Sequence, residues 1–193
     1  MKNFKIILLV LIAISAFSCK KGENDPFISL KSRKARLVGE WKLVEGSTSV
    51  VSSTGTDTYT FDGTLMTSVE SGVTTTEPYS ETYTFEKDGT YKYSDNTNNG
   101  EDTHDESGAW TFGAKSAELD VKAKETIMLH EQSYSAINSG ILYSYTYVGT
   151  IYPVKRITID MLKSNEMTMI IDYTFTGTNT AYTRTGTWTY EKQ

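Results

Sequence analysis

One cysteine, Cys19, is all the chain has, so no disulfide can form within it and its stability must come from packing. Histidine is nearly as scarce: only His104 and His130 occur, and no cluster of His and Cys has the spacing of a zinc site. There is no Gly-rich phosphate loop before a lysine and no Gly-x-Ser-x-Gly elbow. An excess of positive charge is missing too. At a formal net charge of −5, the chain is poorly suited to nucleic acid or an anionic membrane surface as its main partner. Neither a long amphipathic helix nor an apolar run long enough to span a bilayer can be found. These absences leave no nucleophile–base pair, no metal ligand set and no cofactor motif. No catalytic residue is assigned, and an enzyme is the least favoured class.

What is present begins with a basic start at Lys2 and Lys5, an apolar run from Ile6 to Ile14, and small residues at Ser15, Ala16 and Ser18. The run is too short for a transmembrane helix and reads as the core of a secretory signal. The chain divides accordingly into a signal peptide at 1–18, a tether at 19–34 and a folded domain at 35–193. Of 193 residues, 175 follow Ser18, enough for one domain with a real core. Two of the 19 basic side chains go with the signal, leaving 17 against 24 acidic ones and a formal charge of −7.

Cys19 directly after this core, followed by Lys20-Lys21-Gly22-Glu23-Asn24-Asp25, resembles the signal of a bacterial lipoprotein. The resemblance implies cleavage between Ser18 and Cys19 and acylation of the Cys19 thiol and its new amino group, with palmitate among the chains. Several acyl chains, at about 0.8 kcal/mol per buried methylene, would anchor the protein stably in a lipid bilayer. The lysines and acids of the tether are similar to the export tags of lipoproteins of the Bacteroidetes. That likeness implies an outer-membrane lipoprotein, on the periplasmic side or at the cell surface. The alternatives are an ordinary signal peptide that leaves a free thiol, and a plain solvated linker.

The domain opens with Leu37-Val38-Gly39-Glu40-Trp41-Lys42-Leu43-Val44, whose two-residue period predicts a half-buried strand. Gly39 before Trp41 is echoed by Gly108 before Trp110 and Gly186 before Trp188. In each pair the Gly shares a strand face with its Trp and can leave room for an indole or a second backbone. Further strands are predicted at 58–61, 64–69, 79–86, 90–94, 109–112, 126–131, 142–148, 156–162, 167–176 and 182–190. Asp62-Gly63, Lys87-Asp88-Gly89 and Lys163-Ser164-Asn165-Glu166 read as turns. Along 81–85, Glu81 shares a face with Tyr83 and Phe85, a weak amphipathic signal. Residues 27–36 are expected to form a short helix whose basic run, Lys31, Arg33, Lys34 and Arg36, is a solvated face. The Ser/Thr/Gly-rich stretch 47–57 reads as a mobile loop, and 114–125 as a long turn or one or two helical turns. The pattern predicts an all-β fold, an up-and-down antiparallel β-barrel of about 8–10 strands.

Gly39-Glu40-Trp41 on a first strand resembles the opening of lipocalins. Tyr83 to Tyr91, Gly108 to Phe112 and Ile157 to Leu162 are similar to segments of lipocalin-like lipoproteins of the Bacteroidetes. The resemblance implies a structural role for Gly39 and Trp41, with Trp41 packed at the closed end of the barrel and Arg184 as its basic partner.

Three local features offer chemistry. The stretch from Asp95 to Glu106 places oxygens with the spacing of a calcium loop, against which stands a metal-free acidic hairpin loop. Asp160 and Asp172 on facing strands could pair inside the barrel or stand in solvent. His130 reads as a hydrogen-bonded or exposed strand residue.

Two functions are weighed. A binding module would hold a small apolar or amphipathic ligand, with Tyr and Met side chains lining the mouth of an open cavity. No ligand-binding residue is assigned for it. A structural or interaction protein would instead have a filled core and meet a protein or glycan through its loops.

Overall fold

The computed structural model describes residues 24–26, 29–97, 100–118, 120–147, 153–176 and 181–193. The signal peptide, Cys19 and tether residues 20–23 lie outside them, as do Phe27, Asn98 and Asn99. Strands make up 71% of the described residues and helix 4%, and ten strands close into an antiparallel barrel.

The one described helix, α1 (Arg33–Leu37), leads into β1 (Gly39–Ser52), β2 (Gly55–Phe61), β3 (Leu65–Glu70), β4 (Val73–Phe85), β5 (Thr90–Thr97) and β6 (Asp102–Phe112). Then follow β7 (Thr126–Asn138), β8 (Ile141–Thr146), β9 (Val154–Leu162), β10 (Glu166–Thr176) and β11 (Ala181–Lys192). Successive strands are neighbours throughout, except that β9 returns to β7 past the short hairpin strand β8. Pairing of β11 with β1 and of β6 with β7 closes the ring.

The barrel is wider at one end than at the other. At the narrow end β1 pairs directly with β4, Trp41 facing Tyr83, and eight strands make the wall. A bulge near Val44 then lets β1 leave β4, and from Gly46 onward it pairs with β2. The β2–β3 hairpin is thereby wedged into the wall, turning at Asp62-Gly63, where Asp62 accepts from the backbone amides of Thr64 and Leu65 at 3.0 and 2.9 Å. Because a barrel's diameter grows with strand number, the end that contains the wedge must be broader.

The narrow end is filled. Trp41, Leu43, Phe85, Ile127, Leu129, Leu162 and Met167 are fully buried there, and Trp110 nearly so. The glycines that precede Trp110 and Trp188 are close-approach positions, as their spacing suggested. A Cβ on Gly108 would overlap the carbonyl oxygen of His130, and one on Gly186 the backbone of Ser47 and Thr48.

Several expectations need correction. The helix is five residues long, starting at an N-cap in which Ser32 Oγ accepts from Ala35 N at 3.1 Å. Its basic run is not a solvated face: Lys31 and Lys34 are exposed, but Arg33 and Arg36 are buried. Asp25 draws them inward, taking Arg33 Nη1 at 2.7 Å and Arg36 Nη2 at 3.1 Å on Oδ2 and the Leu162 amide at 2.8 Å on Oδ1. So two residues assigned to the tether, Asn24 and Asp25, are docked on the barrel, with Asn24 donating to both carboxylate oxygens of Asp160 at 2.9 Å. The stretch 47–57 is mostly strand, not a loop. Serines and threonines there form a full ladder with β2 and β11, where their β-branched or small side chains suit a pleated wall.

Candidate ligand-binding cavity

Above the filled end the inward faces of the strands change character. Along β4 they read Glu77, Tyr79, Glu81, Tyr83 and Phe85, and along β11 Arg184, Gly186, Trp188 and Tyr190. Between these walls lies a cavity of about 820 Å³. Six tyrosines line it, Tyr59, Tyr79, Tyr83, Tyr93, Tyr173 and Tyr190, together with Trp188, Met66, Met169, Ile157 and Ile171. Charged side chains in its wall are Glu77, Glu81, Asp95, Asp172, Lys155, Arg156 and Arg184. Aromatic and apolar side chains thus share the wall with seven charged ones, and the volume is within the usual range of small-molecule sites.

Glu81 lies at the floor, buried, on the β4 face whose weak amphipathy was visible in the sequence. Tyr190 donates to its Oε1 at 2.5 Å and Tyr79 to its Oε2 at 2.7 Å. Burial pushes the Glu81 carboxyl above the ordinary carboxylate range, the Asp95 charge adds to this, and the two tyrosine hydrogen bonds oppose it. Burial and the Glu81 charge in turn hold the Tyr79, Tyr83, Tyr93 and Tyr190 hydroxyls protonated, well above the usual phenol range.

One side of the floor is a charged network. Asp95 Oδ2 accepts from Tyr93 at 2.6 Å and lies 3.0 Å from His104 Nδ1. His104 Nε2 stands 2.9 Å from Glu106 Oε1, which also takes Lys155 Nζ. Burial works against a charge on His104, but the two carboxylates outweigh it and push its pKa up to about 9. Burial likewise opposes the Glu106 charge, yet His104 and Lys155 hold that carboxyl below its ordinary value.

On the opposite wall Arg184 lies 5.5 Å over the Tyr59 ring, with Nη2 donating to Thr48 Oγ1 at 3.3 Å. This is far from the place that the lipocalin resemblance implied. The β1–β11 register sets Arg184 opposite Val50 and Lys192 opposite Trp41. Lys192 Nζ therefore caps the indole, 4.9 Å from the ring centre, while Trp41 Nε1 donates to Leu37 O at 2.6 Å. Gly39 adjoins the same lysine stem.

The stretch from Asp95 to Glu106 is not a long loop. Strands β5 and β6 run through most of it, Asp95 pairs with His104 in register, and both project into the network just described. Among the described residues no group of three or more His, Cys, Asp or Glu side chains could hold a metal ion. Asp160 and Asp172 do not meet: Asp160 is taken by Asn24, and Asp172 is exposed at the cavity wall beyond the β9–β10 pairing. His130 is half-buried on β7.

A family model described as "Domain of unknown function (DUF5004)" matches residues 19–178, most of the chain. No curated protein matches it.

Proposed function

We propose that this chain, which belongs to the DUF5004 family, is a lipid-anchored, lipocalin-like binding protein of the Bacteroidetes outer membrane. Its ligand is small and apolar or amphipathic, and it occupies the wide half of the barrel. The observation that carries this reading is the contrast between the two halves, one packed with Trp41, Phe85 and Trp110 and the other hollow over about 820 Å³. A core filled from end to end would have favoured an interaction protein.

Acylated Cys19 supplies the anchor in this reading, and the docked tether then sets the orientation. Cys19 lies five residues before Asn24, a reach of at most about 18 Å for an extended chain. Asn24 and Asp25 are bound at the narrow end, beside Asp160 and Leu162. The filled end therefore faces the bilayer and the cavity mouth faces away from it, so ligand exchanges with the aqueous side or with a partner there. Strand β8, whose Ile141, Leu142, Tyr143 and Tyr145 are all exposed, favours the second reading, an envelope protein that meets a protein or glycan partner.

A neutral fluorescent dye, N-phenyl-1-naphthylamine, tests the first reading. Titrated into residues 20–193, it is expected to saturate at about one dye per chain, as a single site requires. Ile171→Trp, which adds bulk to the cavity wall, is expected to abolish that binding without lowering the melting temperature much. Equal binding by both proteins would move the dye outside the barrel and sink the reading.

A further inference from the structure

The cavity floor holds a carboxylate without a counter-ion. Among the described residues, the buried acids Asp25 and Glu106 each have a basic partner, and Asp95 has His104. Glu81 and Glu131 have none, and of these two only Glu81 lines the cavity. Its neighbour across the ladder makes matters worse. Glu81 pairs directly with Asp95, and like charges at opposed positions on adjacent strands repel one another. His104 and Tyr93 serve Asp95, so they relieve this repulsion only in part. A buried, uncompensated charge is costly in a protein interior.

Around this carboxylate stand aromatic rings. Tyr83 lies 4.7 Å from Tyr93 and 5.8 Å from Tyr190, centre to centre, and Tyr79 lies 6.3 Å from Trp188. Their faces carry the negative side of the ring quadrupole and attract cations. Two of the three cations in the wall are engaged elsewhere, Lys155 on Glu106 and Arg184 over Tyr59, and the third, Arg156, is exposed. Above the floor, Met66, Met169, Ile157 and Ile171 offer an apolar surface. Anionic floor, aromatic sides and apolar upper wall together match one ligand class.

Resting on the reading of the cavity as a ligand site, we infer that its floor takes the ammonium group of an amphipathic organic amine, with Glu81 as counter-ion and the tyrosines and Trp188 as cation–π walls. The apolar body of the amine lies along the methionines and isoleucines toward the mouth.

Three probes with one tail and different heads test this: decyltrimethylammonium, decanol and decanoate, each below its micelle concentration. Each is titrated into residues 20–193, which hold every element described above, in competition with the neutral dye. The ammonium is expected to bind about tenfold more tightly than either other probe. Glu81→Gln is expected to erase the preference, bringing the ammonium down to the level at which the same variant binds decanol. Decanol or decanoate binding as tightly as the ammonium overturns the inference and leaves the cavity reading standing. An ammonium preference that survives Glu81→Gln overturns the assignment to Glu81. Failure of all three probes to displace the dye overturns the inference as well, and failure of the dye itself to bind overturns both readings. Should Glu81→Gln not fold, the ranking of the three probes on the unaltered chain still decides.

Discussion

Replacing Asp25 with alanine is expected to destabilise the domain by about 3–5 kcal/mol, the range seen when one partner of a buried ion pair is removed. Among the described residues its carboxylate is the one ion-pair partner of two guanidinium groups, those of Arg33 and Arg36, whose side chains are almost wholly buried. Backbone carbonyls complete the arrangement, Ile159 O taking Arg33 at 3.2 Å and Leu162 O taking Arg36 at 2.5 Å. Burial already works against the charge on Arg33. Without Asp25 two cations would remain in a dry site, and the Leu162 amide would lose its acceptor as well. Urea unfolding of Asp25→Ala, followed by tryptophan fluorescence, measures the loss. A change below about 1 kcal/mol, as for an exposed pair, would mean that the segment hangs free in solution. A practical consequence is that a domain begun after Pro26 would be crippled, although the polar sequence there reads as a dispensable tether.

Trp41→Ala is expected to cost a similar amount, about 3–5 kcal/mol, the usual range for removing a buried tryptophan. Trp41 has no exposed surface, and it plugs the narrow end where only eight strands form the wall. Its indole donates to the end of α1 and carries Lys192 on its face. Loss of the ring thus opens a cavity, strands a carbonyl and frees the helix from the barrel. The urea midpoint should fall while the slope is little changed. Tyr59→Ala, from the hollow half, makes the control, since deleting a side chain that borders open space leaves less void behind. If the two variants lost equal stability, the division of the barrel into filled and hollow halves would be wrong.

That division also explains what could be read in the sequence. Strand segments at the narrow end, such as Trp41 to Leu43, Ala109 to Phe112 and Met167 to Met169, alternate apolar with polar residues because one face meets a packed core and the other meets water. Several strands fade as they rise, although β10 keeps its alternation along its length. Residues 73–78 of β4, 102–108 of β6 and 132–138 of β7 were not legible as strand. There the inward residues turn polar: Glu77 lines the cavity, and His104 and Glu106 join the charged network beside it, so the period of two disappears. Ladder pairing decides these segments, and single-chain periodicity does not record it. The signal for the site was present but faint: Glu81 on one face with Tyr83 and Phe85. Asp25 was missed for a different reason. Its partners are Arg33, Arg36 and the Leu162 amide 137 residues away, and no local pattern announces a contact of that range.

Native mass spectrometry of the protein, taken gently from the cells that make it, decides whether the hollow half of the barrel carries a small molecule. The mass is measured on the folded chain and again after unfolding. A reproducible small mass that leaves on unfolding, and whose fragments contain an amine, is the result expected. A bare chain in every preparation, with the neutral dye also excluded, would contradict the claim and leave the exposed face of β8 as the surface to pursue.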